Sequence, residues 1–134
     1  MVATATVPAG GEGCTPGYWK QSQHFDSWVA TGFTTGQTLE SVFDVPDAFG
    51  VDNDSLLTAL SYSGGPDVED KARILLRQAV AALLNSAHPG VDYDYSTASV
   101  IADVNAALAS LDPDTILDLK DDLADANEAG CPLN

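Results

Sequence analysis

Polar and apolar residues alternate along this chain with the period of helices rather than strands, and one stretch stands apart from the rest. Residues 67–87 begin Asp67-Val68-Glu69-Asp70 and run through Ile74-Leu75-Leu76-Arg77-Gln78-Ala79-Val80-Ala81-Ala82-Leu83-Leu84. Gly64-Gly65-Pro66 breaks the chain before it and His88-Pro89-Gly90 after it. Asp67 suits an N-cap, and Glu69 and Asp70 suit the positive end of a helix dipole. Lys71, Arg73 and Arg77 keep one side of the first half in water, and Arg73 and Arg77 are expected to pair with Asp. Beyond Gln78 every residue to Leu84 is apolar, and a helix that is apolar all round is a buried one. It is too short, and too closely flanked by charge, to span a bilayer. The remaining elements are therefore expected to wrap it.

Weaker patterns surround this helix. Thr15 with Pro16 predicts a capped helix running toward Ala30, with Trp19 and Phe25 or Trp28 on one face. Residues 31–38 read as a polar, glycine-containing loop, and Thr38 opens a short helix through Val42-Phe43, ended by Asp44-Val45-Pro46. Asp52-Asn53-Asp54 precedes a short amphipathic helix over 55–60. Val91-Asp92-Tyr93-Asp94-Tyr95 is an alternating connector. Ser96 or Thr97 opens a helix with Val100, Ile101, Val104, Ala107, Leu108 and Leu111 on one side. Asp112-Pro113 caps the last helix, whose stripe is Ile116, Leu119, Leu123 and Ala126, with Asp118, Asp121, Asp122 and Asp125 outside. Gly130 stops it.

These elements predict an all-α fold: a single compact helical domain over 14–134 around the central helix, preceded by an extended arm over 1–13. The arm alternates β-branched and small residues, with Val2, Thr4, Thr6 and Val7 before Pro8, and loosens at Ala9-Gly10-Gly11. Such a segment needs a surface to lie on, either its own domain or a neighbouring subunit. Aromatic residues crowd into 18–49 (Tyr18, Trp19, Phe25, Trp28, Phe33, Phe43 and Phe49). That third reads as a lid over the aliphatic helices, or as a groove for sugars or peptides with Tyr18, Trp19 and Trp28 as the ligand face.

Composition narrows the function classes. The 134 residues suffice for one domain with a core, and 20 acidic against 5 basic residues give a net charge of −15. Phosphate contacts need Lys and Arg, so nucleic acid and anionic membrane surfaces are unsuitable partners. Most of the acids are Asp. A dense Asp coat keeps a protein soluble where salt screens its self-repulsion, which suggests a salt-adapted source.

Cys14 and Cys131 lie near opposite ends, a placement that favours a disulfide joining the two ends of the fold. Closing so long a loop is worth roughly 4–5 kcal/mol in the chain-entropy model. A disulfide points to an oxidising, extracellular compartment. Residues 1–13 have neither the charged nor the apolar region of a signal peptide, so a secreted protein would carry this as its mature chain.

Gly13-Cys14-Thr15-Pro16-Gly17-Tyr18-Trp19-Lys20 resembles the GCTPGYWK signature of a module in secreted proteins of haloarchaea and bacteria. The resemblance continues through Leu75-Leu76-Arg77-Gln78-Ala79-Val80-Ala81-Ala82-Leu83-Leu84-Asn85 and Gly130-Cys131-Pro132-Leu133, and so covers most of the chain. In that module Asn-His follows the Lys directly, whereas here Gln21-Ser22-Gln23 precede His24. The module carries no assigned activity, so the resemblance implies an extracellular, cell-surface or matrix setting rather than a reaction.

Candidate chemistry is sparse. His24 and His88 are the only histidines, without the HExxH or CxxC spacing of a zinc site. His88 falls at a helix C-terminus, where a partly charged imidazole is favourable. No GxSxG is present. Paired carboxylates such as Asp121-Asp122 discriminate nothing in so acidic a chain. Calcium is the better metal candidate, through Asp47, Asp52 and Asp54 or through Asp92 and Asp94, although neither cluster matches an EF-hand loop. No cofactor is expected. The expected function is a non-enzymatic extracellular module that forms a homo-oligomer or polymer, through an arm that can add as a strand or fill a neighbour's groove. An extracellular glycan-, peptide- or calcium-binding module is the alternative.

Overall fold

The computed structural model describes residues 11–133. Six α-helices follow one another among the described residues: α1 Pro16–Trp19, α2 Asp26–Val29, α3 Leu56–Ala59, α4 Val68–Ala87, α5 Thr97–Ser110 and α6 Pro113–Asn127. Short 3-10 turns occupy Ser22–His24, Leu39–Ser41 and Asp47–Phe49. The fold is all-α, and β-type pairing among the described residues is confined to the single bridges Gly13–Gly130 and Thr38–Ser55.

Helix α4 is the axis. Its first turn is closed by the Asp67 N–H donating to Asp70 Oδ2 at 3.2 Å, which satisfies one of the donors a helix start leaves open. Leu75, Leu76 and all residues from 79 to 85 have no exposed surface. Helices α5 and α6 pack against it, as do α1 and α3. Helix α5 is capped by Ser96, whose Oγ accepts the Ser99 N–H at 3.1 Å, and α6 by Asp112 with Pro113 at its first position. The α6 stripe falls as its spacing predicts, with Ile116, Leu123 and Ala126 buried and Asp118, Asp121, Asp122 and Asp125 exposed. Among the described residues no helix is long and apolar enough to cross a membrane.

Several expectations are corrected. The helix expected from Pro16 toward Ala30 is broken into α1, a 3-10 turn and α2. Lys20, Gln21, Ser22 and Gln23 are all exposed, so nothing between Trp19 and Phe25 can hold a further turn against the core. The helix opened by Thr38 shortens to a 3-10 turn. Leu111 leaves the apolar face of α5: it ends that helix in the left-handed conformation (φ 54°) and is 55% exposed. Arg73 does bind Asp70, at 3.1 Å. Arg77 has no carboxylate partner among the described residues, and its Nε is buried without a hydrogen bond.

The arm residues Val2, Thr4, Thr6 and Val7 lie outside the described residues. Residues 11–13, expected to belong to the arm, are bound to the domain. The Gly11 N–H donates to Asp94 Oδ1, Glu12 N–H to the Asp92 carbonyl, and Gly13 N–H to the Gly130 carbonyl at 2.9 Å.

Candidate functional site

Two features organise the N-terminal third: a buried polar node that anchors it, and an open apolar groove at its far end. The node begins with the disulfide, which joins Cys14 to Cys131 across 117 residues with 4.4 Å between their Cα atoms. Gly13, just before it, passes so close to α6 that a Cβ there would stand 2.1 Å from the Ala126 carbonyl oxygen. Beneath this junction lies Asn85, a fully buried polar residue at the end of the apolar run of α4. Its Oδ1 accepts from Cys14 N–H at 2.9 Å and from Trp19 Nε1 at 3.2 Å. Its Nδ2 donates to the Cys14 carbonyl at 2.8 Å and to Asn127 Oδ1 at 3.0 Å. All four hydrogen-bonding valences of the amide are used. Asn127 is equally occupied. Its Oδ1 also accepts from the Tyr93 hydroxyl, and its Nδ2 donates to both oxygens of Gln78.

One central-helix side chain and one α6 side chain thus hold the start of the chain, α4, α6 and the connector at Tyr93 together. Burial drives the Tyr93 hydroxyl well above its ordinary pKa, helped by the neighbouring Tyr95 and Asp94, so it remains a donor to Asn127.

From this node an aromatic ladder runs outward. Trp19 is fully buried, and its carbonyl accepts the Trp28 Nε1 at 3.0 Å. The two indoles meet edge to face at 6.5 Å, and Phe25 meets Trp28 likewise at 6.5 Å. Such contacts favour perpendicular rings by roughly 0.5–1.5 kcal/mol beyond area burial. Tyr18 shares a hydrogen bond with Ser27 at 2.9 Å and stacks on His24 at 4.0 Å.

The ladder ends at a groove of about 400 Å³, walled by Phe25, Trp28, Val29 and Phe33, with Thr34 and Thr35 on the far side. Thr31 shapes the turn that forms it. Its hydroxyl donates to the Trp28 carbonyl at 2.6 Å and accepts the Phe33 N–H at 3.1 Å. Gly32 supplies the positive φ of +82° this turn needs. The Thr34–Thr35 wall is fixed to α3, since the carbonyls of Thr35 and Gln37 accept the N–H groups of Leu57 and Leu56. Val29 is 81% exposed, although it is apolar and ends a helix.

The expected ligand face is corrected here. Tyr18, Trp19 and Trp28 do share one region, but Trp19 is 0% and Trp28 2% exposed. Trp19 offers a ligand nothing, and Trp28 contributes only the edge of a groove. The open apolar surface is Val29 with Phe25 and Phe33. Phe33 belongs to the aromatic cluster read from the sequence, whereas Val29 falls in no long periodic stripe and carries no signal of its own. The signal available was the run from Ser27 to Leu39, which carries no charged side chain in a chain of net charge −15.

Among the described residues, no three His, Cys, Asp or Glu side chains converge as a metal site. Of the calcium candidates, Asp54 accepts the Tyr62 hydroxyl and Asp94 accepts the Gly11 N–H, which ties both into loop structure. Asp47 starts a 3-10 turn, the Asp52 carbonyl accepts the Glu40 N–H, and the Asp92 backbone N–H donates to Glu12 Oε1 while its carbonyl accepts the Glu12 N–H. His24 and His88 lie apart in role. His88 Nδ1 accepts the Gly90 N–H at 2.9 Å, which requires that nitrogen unprotonated, and desolvation lowers its pKa. The Gly90 contact and the desolvation both favour the neutral ring over the partly charged one expected at this helix end. No family model, no curated protein and no solved structure matches the chain.

Proposed function

We propose that this protein is a non-enzymatic extracellular structural module that assembles with copies of itself into a surface matrix or filament. The observation that carries this reading is the groove: an apolar surface with Val29 81% exposed on a domain of net charge −15. Exposed apolar patches on such a surface mark sites of association. The scaffold suits a module under load or outside the cell, because a disulfide and a saturated amide node tie both ends of the domain to its central helix. The acidic coat fits a salty setting in which copies approach each other only when their charge is screened. Nucleic acid and membrane insertion have no place in this reading, and it needs no cofactor.

The competing reading is an extracellular binding module that takes a peptide, a glycan or calcium. The groove favours a peptide over a glycan. Its walls are carbon apart from two threonines, and sugar hydroxyls placed there would be desolvated without partners, at a cost of about 1–3 kcal/mol each.

Light scattering and electron microscopy of the full chain in molar KCl, with and without calcium, separate the two. Particles that grow with protein concentration are expected. A monomer under all those conditions rules assembly out and leaves the binding module.

A further inference from the structure

If the protein assembles, two partners must meet without bringing carboxylates together, and the chain has few places where that is possible. Helix α6 presents Asp118, Asp121, Asp122 and Asp125 outward, so docking across that face sets like charges opposite each other. The groove is different, since no charged residue lies between Asp26 and Glu40. Charge-free stretches also occur at 55–66 and 104–111, which hold α3 and part of α5, and at the N-terminus. Residues 1–11 contain no charged side chain and offer Val2, Val7 and Pro8 among small residues and threonines.

We propose that residues 1–10 of one copy, anchored through Val2 and Val7, seat in the Phe25–Val29–Phe33 groove of a neighbouring copy. This rests on the assembly reading and names its contact. The groove's size agrees: about 400 Å³ lies at the small end of binding sites and suits a few small side chains of a peptide rather than a helix or a folded face. Its chemistry agrees too, since valine and proline ask for carbon walls and the two threonines can meet backbone groups.

The donor is held firmly at its root. The Gly11 N–H is bound by Asp94 Oδ1, and the next two residues are bonded to the domain. Ten extended residues span at most about 33–36 Å. Arm and groove are different segments of the same chain, so a one-way contact is heterologous and generates a ring or a filament, while reciprocal exchange closes a dimer.

Complementation between two full-length variants tests this. Val2→Asp with Val7→Asp spoils the donor and leaves the groove intact. Val29→Asp spoils the groove and leaves the donor intact, at a residue too exposed to matter for folding. Circular dichroism checks that both are folded. In molar KCl the wild type is expected to grow, each variant alone to remain a monomer, and an equal mixture to stop at a dimer, one good arm filling one good groove.

If the wild type assembles but either variant alone also assembles, or the mixture stays monomeric, the arm–groove contact is wrong while assembly stands. If the wild type is itself a monomer, assembly and this contact both fail. In that case, a change in Trp28 fluorescence on adding a glycan or an unrelated apolar peptide would assign the groove to a foreign ligand.

Discussion

Asn85 is the residue on which most of the N-terminal architecture depends. Replacing it with alanine would leave the Cys14 N–H and carbonyl, the Trp19 indole N–H and one valence of Asn127 without partners in a fully buried place. Each orphaned buried group costs about 1–3 kcal/mol. Asn85→Ala is therefore expected to lose more than ~3 kcal/mol in urea unfolding of the oxidised protein. A loss under ~1 kcal/mol would mean that water replaces the amide without penalty.

His88 makes a smaller, pH-dependent contribution. Its folded pKa lies below the unfolded value, so the folded state prefers the neutral ring. Stability from this group is present above the unfolded pKa, near 6.5, and is lost as pH falls through that region. His88→Gln should flatten the part of the melting profile between about pH 7.5 and 5.5 that this residue causes; a variant that loses as much stability as the wild type over that range would show the ring is not responsible. Neither role could be read from spacing. Asn85 was visible as a polar residue closing an apolar run, but its partners Cys14 and Asn127 lie 71 and 42 residues away in sequence. His88 stands at a helix end, where a cation is favourable, but its Nδ1 accepts the Gly90 N–H.

Among the elements, legibility follows length. Helix α4 is legible because twenty residues of consistent patterning leave little room for another answer, and the caps of α5 and α6 follow from Ser96 and from Asp112-Pro113. Elements of four residues are another matter. α1 and α2 contain too little sequence to register a period, and what places them is tertiary: the indole stack of Trp19 on Trp28 and the Thr31 turn. Helix α3, by contrast, is legible from the apolar spacing over 55–60 and is capped by Ser55. The groove arises between such short elements, which is why its exposed wall at Val29 is not legible from stripes. Leu111 escaped for a local reason, because its position continues the α5 stripe while its backbone has already left the helix.

The tightest element contact is that of Gly13 against the end of α6. Since the obstacle is backbone, Gly13→Ala forces the two segments apart and is expected to cost about 1–3 kcal/mol. Thermal unfolding of the variant checks this, and an unchanged melting temperature would place the obstacle elsewhere.

For the molecule as a whole, charge and covalent closure set the terms. At −15 the domain repels itself as well as its neighbours, so its melting temperature is expected to climb from low to molar KCl as repulsion is screened. A flat or falling profile would contradict salt adaptation. Reduction opens a loop of 117 residues and is expected to remove roughly 4–5 kcal/mol of stability. Denaturant titrations with and without dithiothreitol measure that loss.

The assembly reading puts the contact between copies at the uncharged groove beside Val29. Sedimentation of the full chain beside Val29→Asp, in molar KCl over a range of protein concentrations, tests it most directly. The wild type should gain mass with concentration while Val29→Asp, equally folded, stays at the mass of one chain; identical behaviour of the two would contradict the claim.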